Sequence, residues 1–377
     1  MWGRVHIITG TLNARGGGEL LTLAFIRSIV ECDLAKEVYL YTRDEPNPAI
    51  VHTFPLNFVQ VLKCVKFKPL GIMYAQTLWR GMPYFKIARM LLTINNREEL
   101  VVNLNADSVP IPAHICYVHF PYFGVRQSII STTLRSRFRK IAHVEVLRLC
   151  KLVLVNSNFT KGVLCYVASD VCNKVLVLYP PLPIEPLNED EFDKSLNMKE
   201  NSVLTVSRFS KEKRLENILD IARRVEQGKF VIVGTLHDKD YYEHLKKLIL
   251  KNGIHNVELY PNIPFDELHT LRKKSKIYLH PMPYEHFGIS IIEAMASGCV
   301  PVVHKSGGPW QDILECSEEY GYAFESINEA ITKIRQLLTD FNLYYRKATI
   351  ALKKSRKFSY KYFTRSLYRL LERIKGL

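Results

Sequence analysis

Three stretches of this 377-residue chain combine residue types that can hold a phosphorylated, polyhydroxylated ligand. The first is Arg15-Gly16-Gly17-Gly18-Glu19, which follows the apolar run 5–8 and opens a helical stretch. Glycines let the backbone approach a ligand closely, and the free N–H groups of a helix start favour an anion or hydroxyl groups. The same residues also suit a tight strand-to-helix turn with no ligand, and their spacing is not the GxGxxG of a dinucleotide site. The second stretch, Ser207-Arg208-Phe209-Ser210-Lys211-Glu212-Lys213, directly follows the apolar run 203–206. Arg208 and Lys213 at a strand's carboxyl end would hold a diphosphate and stabilise the charge it gains on leaving. Read alone, the run is also an ordinary solvated basic turn.

The third stretch, IYLHPMPYEHFGISIIEAMASGCVP at 277–301, carries the most information. Glu285 falls in a loop, Gly288 opens a helix, and Glu293 lies within that helix among Ile291, Ile292, Ala294 and Met295. A carboxylate on an apolar helix is costly to bury unless it is paired or hydrogen-bonded. A ribose diol offers two donors that one carboxylate can accept, while the helix start at Gly288 and Ile289 would face a phosphate. The alternative for Glu293 is a cap on neighbouring backbone or a pair with a core cation. His119, placed after the apolar run 115–118, reads by itself as a hydrogen-bonded structural histidine.

The elements that must position these residues follow from hydrophobic patterning. Short apolar, β-branched runs at 5–8, 38–41, 58–62, 100–104, 115–118, 152–155 and 175–178 read as strands of a parallel sheet covered on both faces. Tyr179-Pro180-Pro181-Leu182-Pro183-Ile184-Glu185-Pro186 then forbids helix and central strand alike, and reads as a linker. A second series of strands follows at 203–206, 230–233, 257–259, 277–280 and 300–303, with helical stretches such as 215–226 and 241–251 between them. The fold class expected is therefore α/β, with two Rossmann-like, doubly wound parallel-sheet domains facing across a cleft. Ligands of such sheets bind outside the carboxyl ends of the strands.

Composition bounds the function classes. The chain is 47% hydrophobic and 24% charged, and no apolar run approaches the roughly 20 residues of a membrane-spanning helix. The N-terminus reads as a first strand, without the apolar core of a signal peptide. The eight scattered cysteines contain no CxxC pair, so neither a metal site nor a disulfide framework is expected, and a reducing cytoplasm is the expected location. A net charge of +15 suits an anionic partner without choosing among nucleic acid, membrane surface and phosphorylated substrate. Tyr117, Phe120 and Tyr122 form no single-strand-binding signature, and no helix-turn-helix or zinc pattern occurs, so nucleic acid is not the expected partner. A basic stretch with Arg126, Arg135, Arg137, Arg139, Lys140, Arg148 and Lys151 among Phe138, Ile141, Val144 and Leu147 reads as an amphipathic surface lying on anionic lipid, or as a solvated helix with its apolar stripe in the core.

The segment from Glu285 to Glu293 resembles the E-x7-E motif of glycosyltransferase family 4, retaining enzymes of the GT-B fold. Arg208 and Lys213 match that family's diphosphate-binding arginine and lysine in order and spacing, and Gly16, Gly17 and Gly18 match its glycine-rich first loop, which contacts acceptor or donor. The resemblance covers nearly the whole chain. It implies an N-terminal acceptor-side domain at 1–182, completed by a returning helix at 358–377, and a nucleotide-sugar-binding domain at 183–357. Gly16 to Glu19, Tyr117-Val118-His119-Phe120-Pro121, Asn156-Ser157 and His304-Lys305-Ser306-Gly307-Gly308-Pro309 are similar to the branch of that family that adds α-1,2-mannose from GDP-mannose to a dolichol-linked oligosaccharide. Eukaryotic members of the branch are longer and have an N-terminal membrane anchor. None is expected here, as for an archaeal or bacterial relative with another lipid-linked acceptor. Many family members carry Glu after the proline that follows the paired glycines, where this chain has Trp310.

The resemblance implies that Arg208, Lys213, Glu285, Phe287, Gly288, Ile289 and Glu293 bind the donor. Within that set Glu293 holds its ribose and Glu285 the hydroxyls of the transferred sugar. It assigns His119 to the sugar pocket, beside Glu285, Arg208 and Lys213 as the catalytic group, and lets Ser306, Gly307 and Gly308 line the same site. The expected activity is retaining transfer of a hexose, mannose from GDP-mannose, to a lipid-linked or glycan acceptor. It would need no cofactor or divalent metal, at the cytoplasmic face of a membrane whose anionic surface the protein touches. A nucleotide-sugar epimerase of similar architecture and a basic nucleic-acid-binding protein are the competing readings.

Overall fold

The computed structural model describes residues 1–14, 16–51, 54, 58–69, 98–125 and 134–375. Arg15 and Arg126 of the stretches above lie outside the described residues, as does the side chain of Arg135. The chain divides into two compact units, Met1–Pro183 with Tyr360–Leu377, and Ile184–Ser359.

Among the described residues the first unit holds one parallel sheet of β1 (Trp2–Ile8), β2 (Ala35–Thr42), β3 (Val65–Pro69), β4 (Glu99–Asn103), β5 (Ile115–Val118), β6 (Leu152–Val155) and β7 (Val175–Val177). The spatial order is β3-β2-β1-β4-β5-β6-β7, so the winding reverses between β1 and β4. Every residue of β4, β5 and β6 is buried, as expected of central strands covered on both faces. The helix Gly17–Glu31 packs Leu20, Leu21, Phe25 and Ile29 inward. The last helix, Tyr360–Lys375, buries Phe363, Leu367, Leu371 and Ile374, a stripe of three- and four-residue spacing. Its docking is fixed by polar contacts as well: Ser28 Oγ and Thr364 Oγ1 are 2.8 Å apart, and the Tyr360 hydroxyl donates to Glu31 Oε2 at 3.0 Å.

The second unit holds β8 (Glu200–Val206), β9 (Lys229–Gly234), β10 (Val257–Pro261), β11 (Ser275–His280), β12 (Val300–His304) and β13 (Tyr322–Phe324) in the order β10-β9-β8-β11-β12-β13. Its winding reverses between β8 and β11. Phe209, Phe230, Tyr241, Ile277, Val300, Ile334 and Tyr344 share one core beneath the helices. Side-chain caps start three of those helices where the sequence turns from loop to apolar stripe: Asp238 for Lys239–Lys251, Ser326 for Ile327–Thr339 and Asp340 for Phe341–Ser355. The architecture is thus α/β, with two Rossmann-like parallel sheets.

Two expectations from sequence are corrected, and one strand went unnoticed. The run 58–62 is a short helix, Phe58–Leu62, in which only Phe58 is fully buried; the strand follows it at Val65–Pro69. That strand alternates Val65 and Phe67 with exposed Lys66 and Lys68, the pattern of a sheet edge. The three-residue strand β13 at the other sheet's edge was too short for a periodicity to register. Four of the eight cysteines are also paired, Cys116 with Cys150 and Cys165 with Cys172, contrary to the expectation of no disulfides, while Cys32, Cys64, Cys299 and Cys316 are free thiols. Cys116 on β5 meets Cys150 in the short connection between the helix Leu134–Leu149 and β6, while a helix end followed by a 3-10 turn joins the second pair, and neither arrangement leaves a CxxC signature. Among the described residues, no helix is long and apolar enough to cross a membrane.

Candidate functional site

In the second unit, the chain leaving β8 and the chain leaving β11 emerge side by side, because β8 and β11 are neighbours at the reversal of winding. In doubly wound sheets this is where a ligand crevice forms. Arg208 and Lys213 follow β8, and Glu285 and Gly288 follow β11. Tyr278 of β11 ties the two exits together. Its buried hydroxyl lies 2.7 Å from Ser290 Oγ, in the first turn of the Ile289–Ala296 helix, and 3.1 Å from the carbonyl oxygen of Val206.

Lys213 Nζ donates to Glu285 Oε2 at 2.8 Å and lies 3.1 Å from Met282 Sδ. The amide of His286 donates to Glu285 Oε1 at 3.1 Å, and His280 Nε2, at the end of β11, lies 3.4 Å from Oε2. Burial alone would raise the Glu285 carboxyl, but His280 and Lys213 outweigh it and hold the group well below the usual carboxylate range. Arg208 is different: its guanidinium is about half exposed and, among the described residues, reaches only Glu212, at 3.5 Å. Such a surface pair is worth little, so the guanidinium is free to turn to a ligand.

Gly288 caps the Ile289–Ala296 helix with φ of +101°, a conformation that side chains resist. Within the helix Glu293 is buried and accepts from Arg272 Nη2 at 2.5 Å. Burial raises its carboxyl and Arg272 opposes that rise. Of the two alternatives to a ribose contact that the sequence left open for Glu293, a backbone cap and a pair with a core cation, the pair is present. Phe287 is buried with its ring edge-on to Phe358 at 5.6 Å, which gives it a packing role.

Ser306, Gly307 and Gly308 build the Glu285 loop from beneath. The Tyr284 amide donates to Ser306 Oγ at 2.9 Å, and the Gly308 amide donates to the Glu285 carbonyl at 2.8 Å. A Cβ at Gly307, whose φ is +71°, would stand 2.4 Å from the Glu285 carbonyl oxygen, and one at Gly308 would stand 2.3 Å from that of His286. Only glycines allow the two loops to lie so close.

The first unit has its own reversal, between β1 and β4, with β5 next to it. Gly16, an extended N-cap, and Gly17 and Gly18 open the helix that follows β1. A Cβ on Gly18 would lie 3.5 Å from the imidazole of His119, which stands just past β5. His119 Nε2 is 3.0 Å from the Leu104 carbonyl oxygen, and its amide donates to Asp107 Oδ1 at 3.3 Å. The structure therefore brings His119 to the glycine-rich turn and brings Lys213 to Glu285. Sequence reasoning passed over His280, Arg272 and Asp107. His280 is the last residue of a strand, a position that signals ligand proximity in this fold class. Arg272 sits in the run Arg272-Lys273-Lys274 and carries no signal that separates it from solvated neighbours.

Residues 188–354 match the family described as Glycosyl transferases group 1. The chain is similar to GDP-Man:Man(3)GlcNAc(2)-PP-Dol alpha-1,2-mannosyltransferases. It is 28% identical to that of Xenopus laevis over 262 residues, covering 59% of this chain and 53% of the relative. To that of Caenorhabditis elegans it is 24% identical over 378 residues, covering 84% and 79%. The Xenopus match spans about half the relative's length, as does that to the Dictyostelium discoideum enzyme, 28% identical with 47% of the relative covered. In fold the chain is similar to Anabaena HepE solved with UDP (TM-score 0.73, 17% identity, 98% of this chain and 99% of that one). It is equally similar to sucrose-phosphate synthase of Thermosynechococcus elongatus (TM-score 0.73, 17% identity, 99% of both chains). Residues 188–354 thus resemble the group 1 glycosyl transferases, and the chain as a whole has the GT-B fold.

Proposed function

We propose that this protein is a retaining glycosyltransferase that moves mannose from GDP-mannose to a lipid-linked or glycan acceptor. The observation that carries the reading is the Lys213–Glu285 pair at the reversal point of the second sheet, beside a helix start and the buried Glu293. The activity of the similar mannosyltransferases, which use GDP-Man, supports mannose as the sugar and guanine as the base. It also supports a lipid-linked oligosaccharide as acceptor.

In this reading the bond from the sugar's anomeric carbon to the diphosphate oxygen breaks, and the acceptor hydroxyl oxygen bonds to that carbon on the same face. The acceptor's proton passes to the departing phosphate. The negative charge that grows on the diphosphate meets Arg208, Lys213 and the N–H groups at Gly288 and Ile289. Lys213 has three N–H donors, and Glu285 and Met282 engage two, so one remains for a phosphate oxygen. Glu285, kept ionised, accepts hydroxyls of the transferred sugar, and Glu293 accepts from the ribose. In the first unit His119 and the Gly16–Gly18 turn are assigned to sugar and acceptor. Fixed cations and helix N–H groups supply the charge stabilisation that other enzymes obtain from a divalent metal.

Contact with an anionic membrane at its cytoplasmic face belongs to the same reading. The helix Leu134–Leu149 exposes Phe138 and Ile141 beside exposed Arg137, Arg139 and Lys140, which supports it.

The test is a calorimetric screen of GDP-mannose, UDP-N-acetylglucosamine and UDP-glucose against the purified chain, with Glu293→Ala as control, followed by donor turnover with and without a lipid-linked acceptor. Binding of GDP-mannose that Glu293→Ala abolishes, with turnover only when acceptor is present, is the expected result. Donor conversion without acceptor would replace the reading with an epimerase, and strong RNA binding without nucleotide-sugar affinity would replace it with a nucleic-acid-binding protein.

A further inference from the structure

The guanidinium of Arg272 is 2% exposed, on the helix Phe265–Lys274, with the Phe265 ring 5.8 Å away and the backbone carbonyl of Arg272 3.2 Å from Cys299 Sγ. A purely structural arginine–carboxylate pair usually closes as a fork, two N–H groups against two oxygens. This one does not. Nη2 alone reaches Glu293, on Oε2, while Nε and Nη1 are buried without a hydrogen-bond partner among the described residues. Glu293 Oε1 likewise has no partner there, and the side chain keeps 12% of its surface open. An orphaned buried donor is expensive, so an arrangement that accepts two of them calls for a reason.

A carboxylate that accepts a ribose diol has to stay ionised and hold one orientation. Burial opposes the first and an unbranched glutamate chain opposes the second. We propose that Arg272 is a positioning residue for the nucleotide: by engaging Glu293 Oε2 from Nη2 it keeps the carboxylate an anion in one orientation and leaves Oε1 for the ribose of a nucleoside diphosphate. This rests on the donor-site reading above and assigns a residue that lies outside the E-x7-E motif and its two diphosphate cations. The other ionisable groups near the pair are His269, one turn earlier on the Arg272 helix, Tyr278 on β11 and Cys299 ahead of β12, which Lys199 faces in turn. Burial raises Tyr278 and Cys299, and the Lys199 ammonium is taken up by the carbonyls of Ser275 and Ser297. Arg272 is the cation bonded to the carboxylate.

The inference predicts a property that a merely structural pair would not produce: discrimination of ribose from 2′-deoxyribose should depend on Arg272. The experiment is calorimetric titration of the full chain with GDP, 2′-deoxy-GDP, UDP and 2′-deoxy-UDP, for the wild type, Arg272→Lys, Arg272→Met, Glu293→Gln and the Arg272→Met/Glu293→Gln double variant. The wild type should prefer ribose by about tenfold or more, the worth of a hydrogen bond to a charged group. Arg272→Met should lose that preference near pH 7 and recover part of it as pH rises and the stranded Glu293 ionises. The double variant, with no carboxylate, should show no preference at any pH. Arg272→Lys keeps the charge without the planar fork and should retain an intermediate preference, which also covers the case in which Arg272→Met fails to fold.

A wild-type ribose preference in Arg272→Met or Arg272→Lys, at unchanged pH dependence, would overturn the assignment of Arg272 alone. A wild-type chain that binds neither GDP nor UDP would overturn it together with the donor-site reading. Comparing the two sugars at each pH cancels the titration of the diphosphate itself.

Discussion

Lys213 and Glu285 are 72 residues apart in sequence and joined by a 2.8 Å hydrogen bond at the exits of two neighbouring strands. The pairing would couple the two proposed roles, because the group proposed to meet the diphosphate also orients the group proposed to meet the sugar. Lys213→Met and Glu285→Gln should each lower kcat/KM for sugar transfer by about a hundred- to a thousandfold, the usual cost of one well-placed polar group. The double variant should be little worse than the poorer single variant, since residues acting as a unit are not additive. Measured rates that multiply would show the two to act independently.

The same pair fixes a pH dependence. His280 and Lys213 hold the Glu285 carboxyl well below its ordinary range, against the burial that would raise it. A group whose folded-state pKa is depressed contributes stability that is complete above its unfolded value, about 4.3, and is lost as pH falls through the folded value. The stability gap between wild type and Glu285→Gln should therefore stay constant from neutral pH to about pH 5 and shrink only in stronger acid. Urea denaturation at several pH values reads this directly. A gap that already narrows between neutral pH and about pH 6 would mean that Glu285 is not held as an anion.

The Arg208 loop is set by a residue that touches no ligand. A Cβ on Gly234, the last residue of β9, would fall 1.6 Å from the Ser207 carbonyl oxygen, a backbone atom that has to move. Gly234→Ala should cost about 1–3 kcal/mol of stability, as overpacking does, and weaken nucleotide binding by displacing Arg208. Gly162 provides the contrast: it is exposed within the helix Asn158–Val167, and a Cβ there meets nothing within 4 Å. Gly162→Ala should stabilise by about 0.4–1 kcal/mol and leave binding unchanged. Thermal melts and nucleotide titrations on both variants separate the two effects.

Particular residues show what the sequence could and could not disclose. The continuous apolar runs that became β4, β5 and β6 are buried on both faces, so composition alone marks them as strands. The run 58–62 has the same composition but one fully buried side chain, and composition cannot register which face a segment presents. Glu285 and Lys213 were legible as motif members, while their mutual bond was not, because it depends on the spatial order of β8 and β11. Glu293 was legible as an anomaly, a carboxylate on an apolar helix. Its partner Arg272 lies on another helix, within a basic run that looks solvated, so only packing reveals it.

Transfer should proceed without a divalent metal. Arg208, Lys213 and the helix start at Gly288 place positive charge where the diphosphate is assigned, and that charge costs no reorganisation during the reaction. The rate of mannose transfer should be unchanged in excess chelator, with no gain on adding magnesium or manganese. Abolition by chelator, reversed by one of those ions, would require a cation in the site and would recast the role of Arg208.

Binding to anionic lipid should depend on two apolar side chains and their charged neighbours together. Phe138 is 60% exposed and Ile141 is 56% exposed, three residues apart and therefore on one helical face. Bulky apolar groups open to water beside Arg137, Arg139 and Lys140 suit the boundary between headgroups and acyl chains. Cosedimentation with vesicles containing phosphatidylserine should be strong at low salt and weaker at high salt, since each cation near the surface contributes about 1 kcal/mol that salt screens. Phe138→Asp should reduce binding by about tenfold or more, because it removes a buried aromatic and adds a repelled charge. Nucleotide affinity of that variant should stay at the wild-type value, since the helix Leu134–Leu149 belongs to the other unit from Arg208, Lys213 and Glu293. Equal sedimentation of Phe138→Asp and wild type would show that this face is not the one that meets the membrane.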